Sequence, residues 1–197
     1  ISTTKKKGSL GSYYAVSDYT AVNPEFGTAE DFKKLIDKIH ALDMKVILDW
    51  VPNHTGWDHV WIEEHPEYFT HVADTITHPF MNGEPTDWYD VAELDFDNMD
   101  MREEMTQALE YWITEYDVDG YRCDVAFEVP DDYWDSAVSR MRAIKPVFML
   151  AEAEHPPHRN SGNFHMSYPW SFMHLTNEMG KGAEDVNAID KYLLENA

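Results

Sequence analysis

The sequence contains a single cysteine, Cys123, so the 197-residue chain has no pair of cysteines that could form an internal disulfide. Its fold must therefore depend on an apolar core. No run approaches the roughly 18 uninterrupted apolar residues of a membrane-spanning helix, and the first residues lack the apolar centre of a signal peptide. We expect a soluble chain whose N-terminus is truncated, because the patterned region begins abruptly.

Basic residues are also scarce, since 15 Lys and Arg stand against 37 Asp and Glu and give a formal net charge of -22. The electrostatic field of such a negative charge repels phosphate backbones and anionic lipid headgroups, so we expect neither a nucleic acid nor a membrane as a partner. A neutral sugar polymer would not be repelled. An acidic surface that keeps the protein soluble explains the same charge equally well.

What the sequence does contain is a repeated alternation of helical and strand-like patterns. A capping-box arrangement at Thr28 and Asp31 begins an apolar pattern with helical spacing. Two further helical patterns follow, at 101–113 and after Pro130. Short apolar runs typical of covered strands predict strands at 45–49, 120–125, 147–151 and 164–168, with two polar helices after the last.

Repeated helix–strand units with covered strands leave two main architectures, a doubly wound sheet and a closed (β/α) barrel. No G-x-G-x-x-G or G-x-x-x-x-G-K-[ST] loop follows any of the strands, so the phosphate-binding motif of a doubly wound fold is missing. We therefore predict an α/β fold of the (β/α) TIM-barrel type.

The alternation stops in residues 55–98, which are rich in aromatic side chains. These rings form either platforms for sugars or the core of a small domain. We predict three parts, which are barrel residues 1–54, an inserted small domain at 55–98 and barrel residues 99–197. We expect no histidine metal site near the insertion, because no HExxH or paired-ligand spacing joins its histidines His54, His59, His65, His71 and His78.

Polar side chains stand where the apolar strands stop, which is where parallel barrels carry their reacting groups. The three strand ends carry Asp49, Asn53 and His54, then Arg122 and Asp124, then Glu152 and Glu154. Arg122 and Asp124 are two residues apart and share one face of a strand, where the guanidinium should keep the carboxylate ionised. Glu152 follows an apolar run, and burial there should favour its protonated form.

Two carboxyl groups tuned in opposite directions are what glycoside hydrolysis needs, one as nucleophile and the other as acid. The alternative is that Arg122 and Asp124 form a structural ion pair and that Glu152 is an ordinary strand-end acid. Glu154 is a rival for Glu152, because alternation along a strand would point both side chains the same way.

Three short motifs resemble those of a known family. DWVPNH at 49–54, GYRCDV at 120–125 and MLAEA at 149–153 resemble, in order and spacing, the first three signatures of the alpha-amylase family. The segment at 11–28 resembles the one that leads into that family's barrel, and residues 55–98 lie where the family carries its protruding second domain. The resemblance implies an incomplete barrel, roughly strands three to six of eight.

The resemblance also implies roles for single residues. Asp124 would attack the anomeric carbon, and Glu152 would act as acid and then base. Asn53 would be a calcium ligand or a structural hydrogen-bonding group, and no organic cofactor is expected. The residues implied in binding the sugar and bracing the site are Tyr14, Asp49, Asn53, His54 and Arg122.

The chain departs from the family pattern in three places. The fourth signature, an Asn-His-Asp segment, is missing, so we expect a fragment of a longer enzyme, or a partner subunit that closes the barrel, and little activity from this chain alone. Ala15 follows Tyr14 where exo-acting alpha-glucosidases have Asp, which favours endo cleavage. Phe127 and Glu128 stand where many alpha-amylases have Lys-His, so plus-side substrate contacts and one calcium contact do not carry over.

These features predict a retaining glycoside hydrolase that cleaves alpha-glucosidic bonds in alpha-glucans or maltooligosaccharides through a covalent glucosyl-enzyme. Two alternatives stay open, a glucosyltransferase of the same family and an inactive glucan-binding or assembly fragment. A polymer-digesting enzyme is usually exported, so the resemblance favours a secreted, periplasmic or cell-surface protein.

Overall fold

A computed structural model describes residues 6, 11–81 and 83–195. The predicted helices and strands are present, with small shifts at their ends. The helices are α1 (Ala29–His40), α2 (Trp61–Glu64), α3 (Met99–Tyr116), α4 (Asp131–Ile144), α5 (Pro156–Asn160), α6 (Trp170–Gly180) and α7 (Ala188–Glu195). The strands are β1 (Ile47–Trp50), β2 (His54–Gly56), β3 (His71–Val72), β4 (Thr75–Ile76), β5 (Phe80–Met81), β6 (Glu84–Pro85), β7 (Val91–Glu93), β8 (Gly120–Cys123), β9 (Phe148–Ala151) and β10 (Met166–Ser167).

The central sheet contains four parallel strands in the order β1, β8, β9 and β10. Their spatial order follows their chain order, without the reversal that marks a doubly wound sheet. The connecting helices α3 and α4 pack against each other. This is the winding of a (β/α) barrel, in agreement with the predicted architecture.

Helix α1 begins as the sequence predicts. Thr28 Oγ1 accepts a hydrogen bond from Asp31 N–H, and Asp31 Oδ2 accepts one from Thr28 N–H, each at 3.1 Å. Of its apolar pattern, Ile36 is fully buried, whereas Leu35 and Leu42 are exposed. The predicted buried face of this helix is therefore only partly covered by the described residues.

The core lies between the sheet and helices α3 and α4. Tyr121 and Cys123 on β8 and Met149 and Ala151 on β9 are fully buried, and the register pairs Tyr121 with Met149 and Cys123 with Ala151. Burial raises the pKa of the Cys123 thiol well above its usual range, so this thiol is unreactive. Because alternate residues of a strand face opposite sides, Arg122 lies on the other face of the sheet.

The segment between β1 and α3 forms small antiparallel pairs, in which β2 pairs with β7, β3 with β4 and β5 with β6. The rings of Trp61, Tyr68 and Phe69 are buried there, so these three belong to a core rather than to an exposed sugar platform. The β2–β7 pair sets His54 opposite Glu93. The division of the chain at residues 54 and 98 stays a prediction.

Apolar side chains are exposed along the two outer strands of the sheet. Ile47 on β1 and Met166 on β10 are 39% and 60% exposed, and each of these strands has one paired neighbour within the described residues. The sheet therefore has the open apolar edges expected of an incomplete barrel. None of the helices in the described part of the chain is long and apolar enough to cross a membrane.

Asp119 joins several elements at the N-terminal end of β8. Its Oδ2 lies 2.8 Å from His40 Nε2 and accepts a hydrogen bond from Val46 N–H at 2.9 Å, and its Oδ1 accepts one from Lys45 Nζ at 3.0 Å. Burial by itself would raise the pKa of Asp119, but these hydrogen bonds and the charge of Lys145 hold it well below its usual range. The ionised carboxylate therefore stabilises this end of the sheet.

Replacing Asp119 by Asn should lower the free energy of unfolding by about 2–4 kcal/mol at neutral pH, because the donors around this buried carboxylate lose a charged acceptor. The folded pKa is depressed, so this stabilisation is present above the unfolded pKa of about 3.9 and is lost as the pH falls below it. Urea denaturation of Asp119→Asn at neutral and acidic pH measures both effects.

The matched control is Asp37→Asn, which removes an exposed carboxylate 3.6 Å from Lys33 on α1. It should change the free energy of unfolding by less than about 0.5 kcal/mol. Equal losses in the two variants would contradict the assignment of Asp119 as a buried junction.

Candidate active site

The carboxyl ends of β1, β8 and β9 bring four of the predicted polar residues together. Asp49 and Arg122 are direct partners in the β1–β8 register. Beyond the strands, Asp124 N–H donates to a β1 carbonyl at 2.8 Å, and Glu152 N–H donates to a β8 carbonyl at 2.9 Å. The hydrogen-bond ladder thus continues for one residue and sets the two acids side by side.

The guanidinium of Arg122 holds this group together. Its Nη1 lies 2.8 Å from Asp49 Oδ1 and 2.7 Å from Asp124 Oδ1, and its Nη2 lies 3.0 Å from Glu152 Oε2. Only 13% of the Arg122 side chain is exposed, so these contacts are screened less than surface ion pairs. The predicted Arg122–Asp124 contact is present, but three carboxylates share the guanidinium.

Arg122 lowers the pKa of Asp124, as the sequence predicts, but other contributions outweigh it. Burial of the carboxyl, aided by the negative charge of Glu152, raises the pKa of Asp124 to about 6. The Arg122 guanidinium lowers this pKa but does not offset burial, and the same guanidinium also contacts Asp49 and Glu152. Asp124 is therefore ionised at neutral pH but becomes protonated in mildly acidic solution.

The surroundings of Glu152 are also more polar than the sequence predicts. Its Oε2 accepts a hydrogen bond from Val125 N–H at 3.1 Å in addition to its contact with Arg122. Val125 can donate in this direction because its backbone is left-handed, with φ 44° and ψ 41°. A β-branched residue rarely adopts that conformation, so local strain positions the donor.

Glu154, the rival acid, points elsewhere. Its carboxylate accepts hydrogen bonds from Ser171 N–H at 3.0 Å and from Ser171 Oγ at 2.6 Å. The strand β9 ends at Ala151, so alternation no longer governs the side chains that follow. The structure therefore brings Glu152 to Arg122 and directs Glu154 to the start of α6.

His54 is buried beside the predicted bracing residue Asn53. Asn53 Nδ2 lies 3.2 Å from His54 Nδ1, and because an amide nitrogen can only donate, Nδ1 accepts and the proton of the neutral ring is on Nε2. Burial lowers the pKa of His54 to about 4, so the ring is neutral at neutral pH. The ring of Trp88 lies 5.6 Å away. His54 is thus prepared to donate from Nε2.

Calcium binding by Asn53 stays a prediction, and the donors around it do not make an oxygen-rich site. The Asn53 amide turns its nitrogen to His54, and its backbone carbonyl accepts a hydrogen bond from Leu94 N–H at 3.1 Å. Within the described residues, no group of three His, Cys, Asp or Glu side chains surrounds Asn53. Calcium sites in proteins use about six to eight oxygen ligands. The hydrogen bonds of Asn53 therefore favour its structural role.

The rings of Tyr14 and Tyr168 both lie near the Arg122 guanidinium, whose carbon is 5.9 Å and 5.4 Å from the two ring centroids. The Tyr14 hydroxyl donates to Asp49 Oδ2 at 3.5 Å, and its exposed ring is open to a ligand. The Tyr168 hydroxyl accepts a hydrogen bond from Arg122 Nε at 3.3 Å. Tyr168 was not predicted, although it follows the fourth strand and the same rule of strand ends applies to it.

A cleft of about 460 Å³ opens over these residues. Its apolar surface comes partly from Trp88 and Val91 of the inserted segment and from Trp170 at the start of α6. The sequence indicated an aromatic-rich insertion but did not distinguish Trp88, and it gave no sign of Trp170. The predicted site residues that line the cleft are Tyr14, His54, Arg122, Asp124 and Glu152.

The sequence model of the alpha amylase catalytic domain matches residues 5–93. Alpha-amylase 3 of Dictyoglomus thermophilum is 35% identical over 162 residues, which are 71% of this chain and 32% of that protein. The crystal structure of an alpha-amylase from Lactobacillus plantarum is 35% identical and superposes with a TM-score of 0.89 over 100% of this chain and 49% of that chain. This chain belongs to the alpha-amylase family.

Relatives within the alpha-amylase family include transferases as well as amylases. The alpha-1,4-glucan:maltose-1-phosphate maltosyltransferase of Arcanobacterium haemolyticum is 31% identical over 98% of this chain and 28% of that protein. The chain thus spans about a third of the length of the curated relatives it matches. Its four-stranded parallel sheet is part of a TIM barrel, as the sequence predicts.

Replacing Asp124 by Asn should raise the free energy of unfolding by about 1–2 kcal/mol at neutral pH. Because the folded pKa of about 6 lies above the unfolded value, the stability that this carboxyl contributes is full below the unfolded pKa and is lost as the pH rises through about 6. An amide imitates the neutral form at every pH. The gain, measured by urea denaturation, should therefore disappear in acidic solution.

The control for this prediction is Asp97→Asn, which alters an exposed carboxyl away from the cleft. It should be nearly neutral at both pH values. If Asp124→Asn instead destabilised the protein at neutral pH, the ion pair with Arg122 would outweigh burial, and the direction given for the Asp124 pKa would be refuted.

Proposed function

We propose that this chain carries the catalytic pair of a retaining enzyme that acts on alpha-glucosidic bonds, with Asp124 as nucleophile and Glu152 as acid and base. One observation carries the proposal. Two carboxyl groups from the ends of neighbouring strands contact the same guanidinium in a cleft that also holds a neutral, buried histidine. Retaining glycosidases require two carboxyl groups set close together on either side of the scissile bond.

The contact with Arg122 supports the role of Asp124 as the ionised member of the pair. Burial and the negative charge of Glu152 raise the pKa of Asp124 to about 6, so the pair takes up a proton as the pH falls towards 6. The reactive form carries that proton on Glu152 and leaves Asp124 ionised. Arg122 favours ionised Asp124 through the 2.7 Å contact and aims its carboxylate along the strand.

The proposed first step forms a bond between an Asp124 oxygen and the anomeric carbon while the glycosidic carbon–oxygen bond breaks. The proton of Glu152 moves to the departing oxygen, so that an alcohol leaves and Glu152 becomes ionised. In the second step, Glu152 takes a proton from water as the water oxygen attacks the same carbon. The bond to Asp124 breaks, and both carboxyl groups return to their starting states.

Neighbouring residues supply binding and orientation for a neutral sugar. The exposed Tyr14 ring offers a stacking surface, and His54 Nε2–H can donate to a sugar hydroxyl. The names of the relatives describe alpha-amylases and alpha-glucan transferases, which supports an alpha-glucan or maltooligosaccharide substrate. We propose endo cleavage, because the methyl group of Ala15 beside Tyr14 cannot bind the end of a sugar chain.

A second candidate function is transfer of the glucosyl group to another sugar. This second function is supported by the maltosyltransferase relative, which aligns with 98% of this chain. The chemistry of the first step is shared, and only the acceptor in the second step differs. The ratio of transfer to hydrolysis products from a maltooligosaccharide separates the two.

Substitutions at the two acids should have different effects on two substrates. Asp124→Asn should lower kcat by at least about 10⁴-fold on any alpha-glucoside, because no covalent intermediate forms. Glu152→Gln should lower it by about 10²–10⁴-fold on maltooligosaccharides but much less on an alpha-glucosyl fluoride, whose leaving group needs no proton. Steady-state kinetics on both substrates, and mass spectrometry of the trapped glucosyl-enzyme, provide the measurements in a protein that contains the remaining barrel strands.

Glu154→Gln is the matched control, since Glu154 is the rival carboxylate and binds Ser171. Its kcat should stay within about twofold of the wild type. Full turnover in Asp124→Asn would show that Asp124 is not the nucleophile. A larger loss of kcat in Glu154→Gln than in Glu152→Gln would assign the role of acid and base to Glu154.

We further propose that the 197-residue chain has little activity by itself and needs additional barrel strands, from longer sequence or from a second subunit. The exposed apolar edges and the missing Asn-His-Asp segment support this. Hydrolysis by the isolated chain should be at least about 100-fold slower than by a protein that contains the remaining strands. Turnover of the isolated monomer at the full rate, with its mass checked by light scattering, would contradict the proposal.

A further inference from the structure

A cluster of three side chains lies outside the cleft, where the start of α4 meets α5. Within the described residues, Asp131, His155 and His158 form a group whose ligand atoms all lie within 4.8 Å of one another. Asp131 Oδ2 is 3.2 Å from His155 Nε2, and Asp131 Oδ1 is 3.4 Å from His158 Nε2. The two imidazole rings meet edge to face, with centroids 4.6 Å apart.

The buried member of this cluster lacks hydrogen bonds. Only 2% of the His158 side chain is exposed, and neither ring nitrogen has a hydrogen-bond partner in the described part of the chain. A buried polar group without a partner costs about 1–3 kcal/mol, so its presence calls for a physical reason. The Nε2 atom lies 3.4 Å from Asp131 Oδ1 without forming a hydrogen bond, and a ligand placed between them would satisfy it.

The spacing of the donors matches a small divalent cation. Four-coordinate zinc with nitrogen and oxygen ligands at about 2.0–2.1 Å sets neighbouring ligand atoms about 3.3 Å apart. The two carboxylate–imidazole distances, 3.2 Å and 3.4 Å, are already close to that value. The two imidazole nitrogens lie within 4.8 Å of each other, and His155, with 34% of its side chain exposed, has room to turn towards an ion.

The chemistry of the donors selects the class of metal. Two imidazoles and one carboxylate suit zinc and neighbouring transition metals, whereas calcium and magnesium prefer oxygen ligands alone. The exposed Asp131, with 49% of its side chain in solvent, leaves room for entry and for a water ligand.

We propose that Asp131, His155 and His158 bind a zinc-type divalent transition-metal ion, separate from the catalytic cleft. The ion joins the first residue of α4 to the segment that follows Glu152, so it ties together the chain beyond β8 and the chain beyond β9. Its role is structural, since no ligand lines the cleft. The sequence does not reveal this site, because the carboxylate of Asp131 lies 24 positions before His155.

Isothermal titration of chelator-treated protein with zinc chloride alone tests the site. We expect one zinc per chain, and a loss of affinity of more than about 100-fold in Asp131→Asn and in His155→Ala. His65→Ala is the matched control, because His65 forms a similar histidine–carboxylate pair with Glu67 at 3.1 Å but belongs to no such group of three. It should bind zinc like the wild type.

Cobalt provides a second measurement that does not depend on activity. Co²⁺ bound to the wild type should give the intense visible absorption of a four-coordinate site, and zinc should displace it while calcium should not. His158→Gln tests the buried ligand, with circular dichroism to check that the variant is folded. If it fails to fold, the two exposed-ligand variants still decide the question.

Zinc affinity that is unchanged in Asp131→Asn and His155→Ala would overturn the proposal, as would binding that is lost equally in His65→Ala or displaced by calcium. These outcomes are independent of glucan cleavage. Failure of the metal site would leave the assignment of Asp124 and Glu152 untouched, and failure of that assignment would leave the metal site untouched.

Discussion

The contact between one guanidinium and three carboxylates is the interaction on which the rest of the site depends. The protein carries a formal charge of -22, and Asp49, Asp124 and Glu152 converge within reach of Arg122. Without a cation between them, their mutual repulsion would open the strand ends or keep the acids protonated. Arg122 reaches all three because it stands on the central strand of the β1–β8–β9 group, in register with Asp49.

The predictable part of the fold is the part set by local burial. Short apolar runs and helical spacing gave the order of helices and strands, and the capping box at Thr28 fixed the start of α1. The choice of a barrel over a doubly wound sheet depended on a missing phosphate loop, and the observed strand order supports it. The strand β9 ends at Ala151, as predicted, so alternation within the strand does not reach Glu152 and Glu154 and could not separate them.

The electrostatic balance of the site could not be predicted from spacing alone. Two residues on one strand predict a contact between Arg122 and Asp124, but not how many other acids reach the same guanidinium. That number depends on strand register, which joins positions as far apart as Asp49 and Arg122. The cluster of Asp131, His155 and His158 could not be predicted for the same reason. Asp131 comes close to the two histidines only when the chain beyond β8 packs against the chain beyond β9.

The left-handed backbone of Val125 makes the hydrogen bond to Glu152 sensitive to the packing around it. This conformation costs about 1–3 kcal/mol for a β-branched residue, and it persists because the side chain is packed in the core with only 8% of its surface exposed. If heat or a distant mutation loosens that packing, the peptide relaxes and withdraws the N–H that it donates to Glu152. The proposed acid would then lose a positioning contact through a local change, while the strands of the sheet could stay paired.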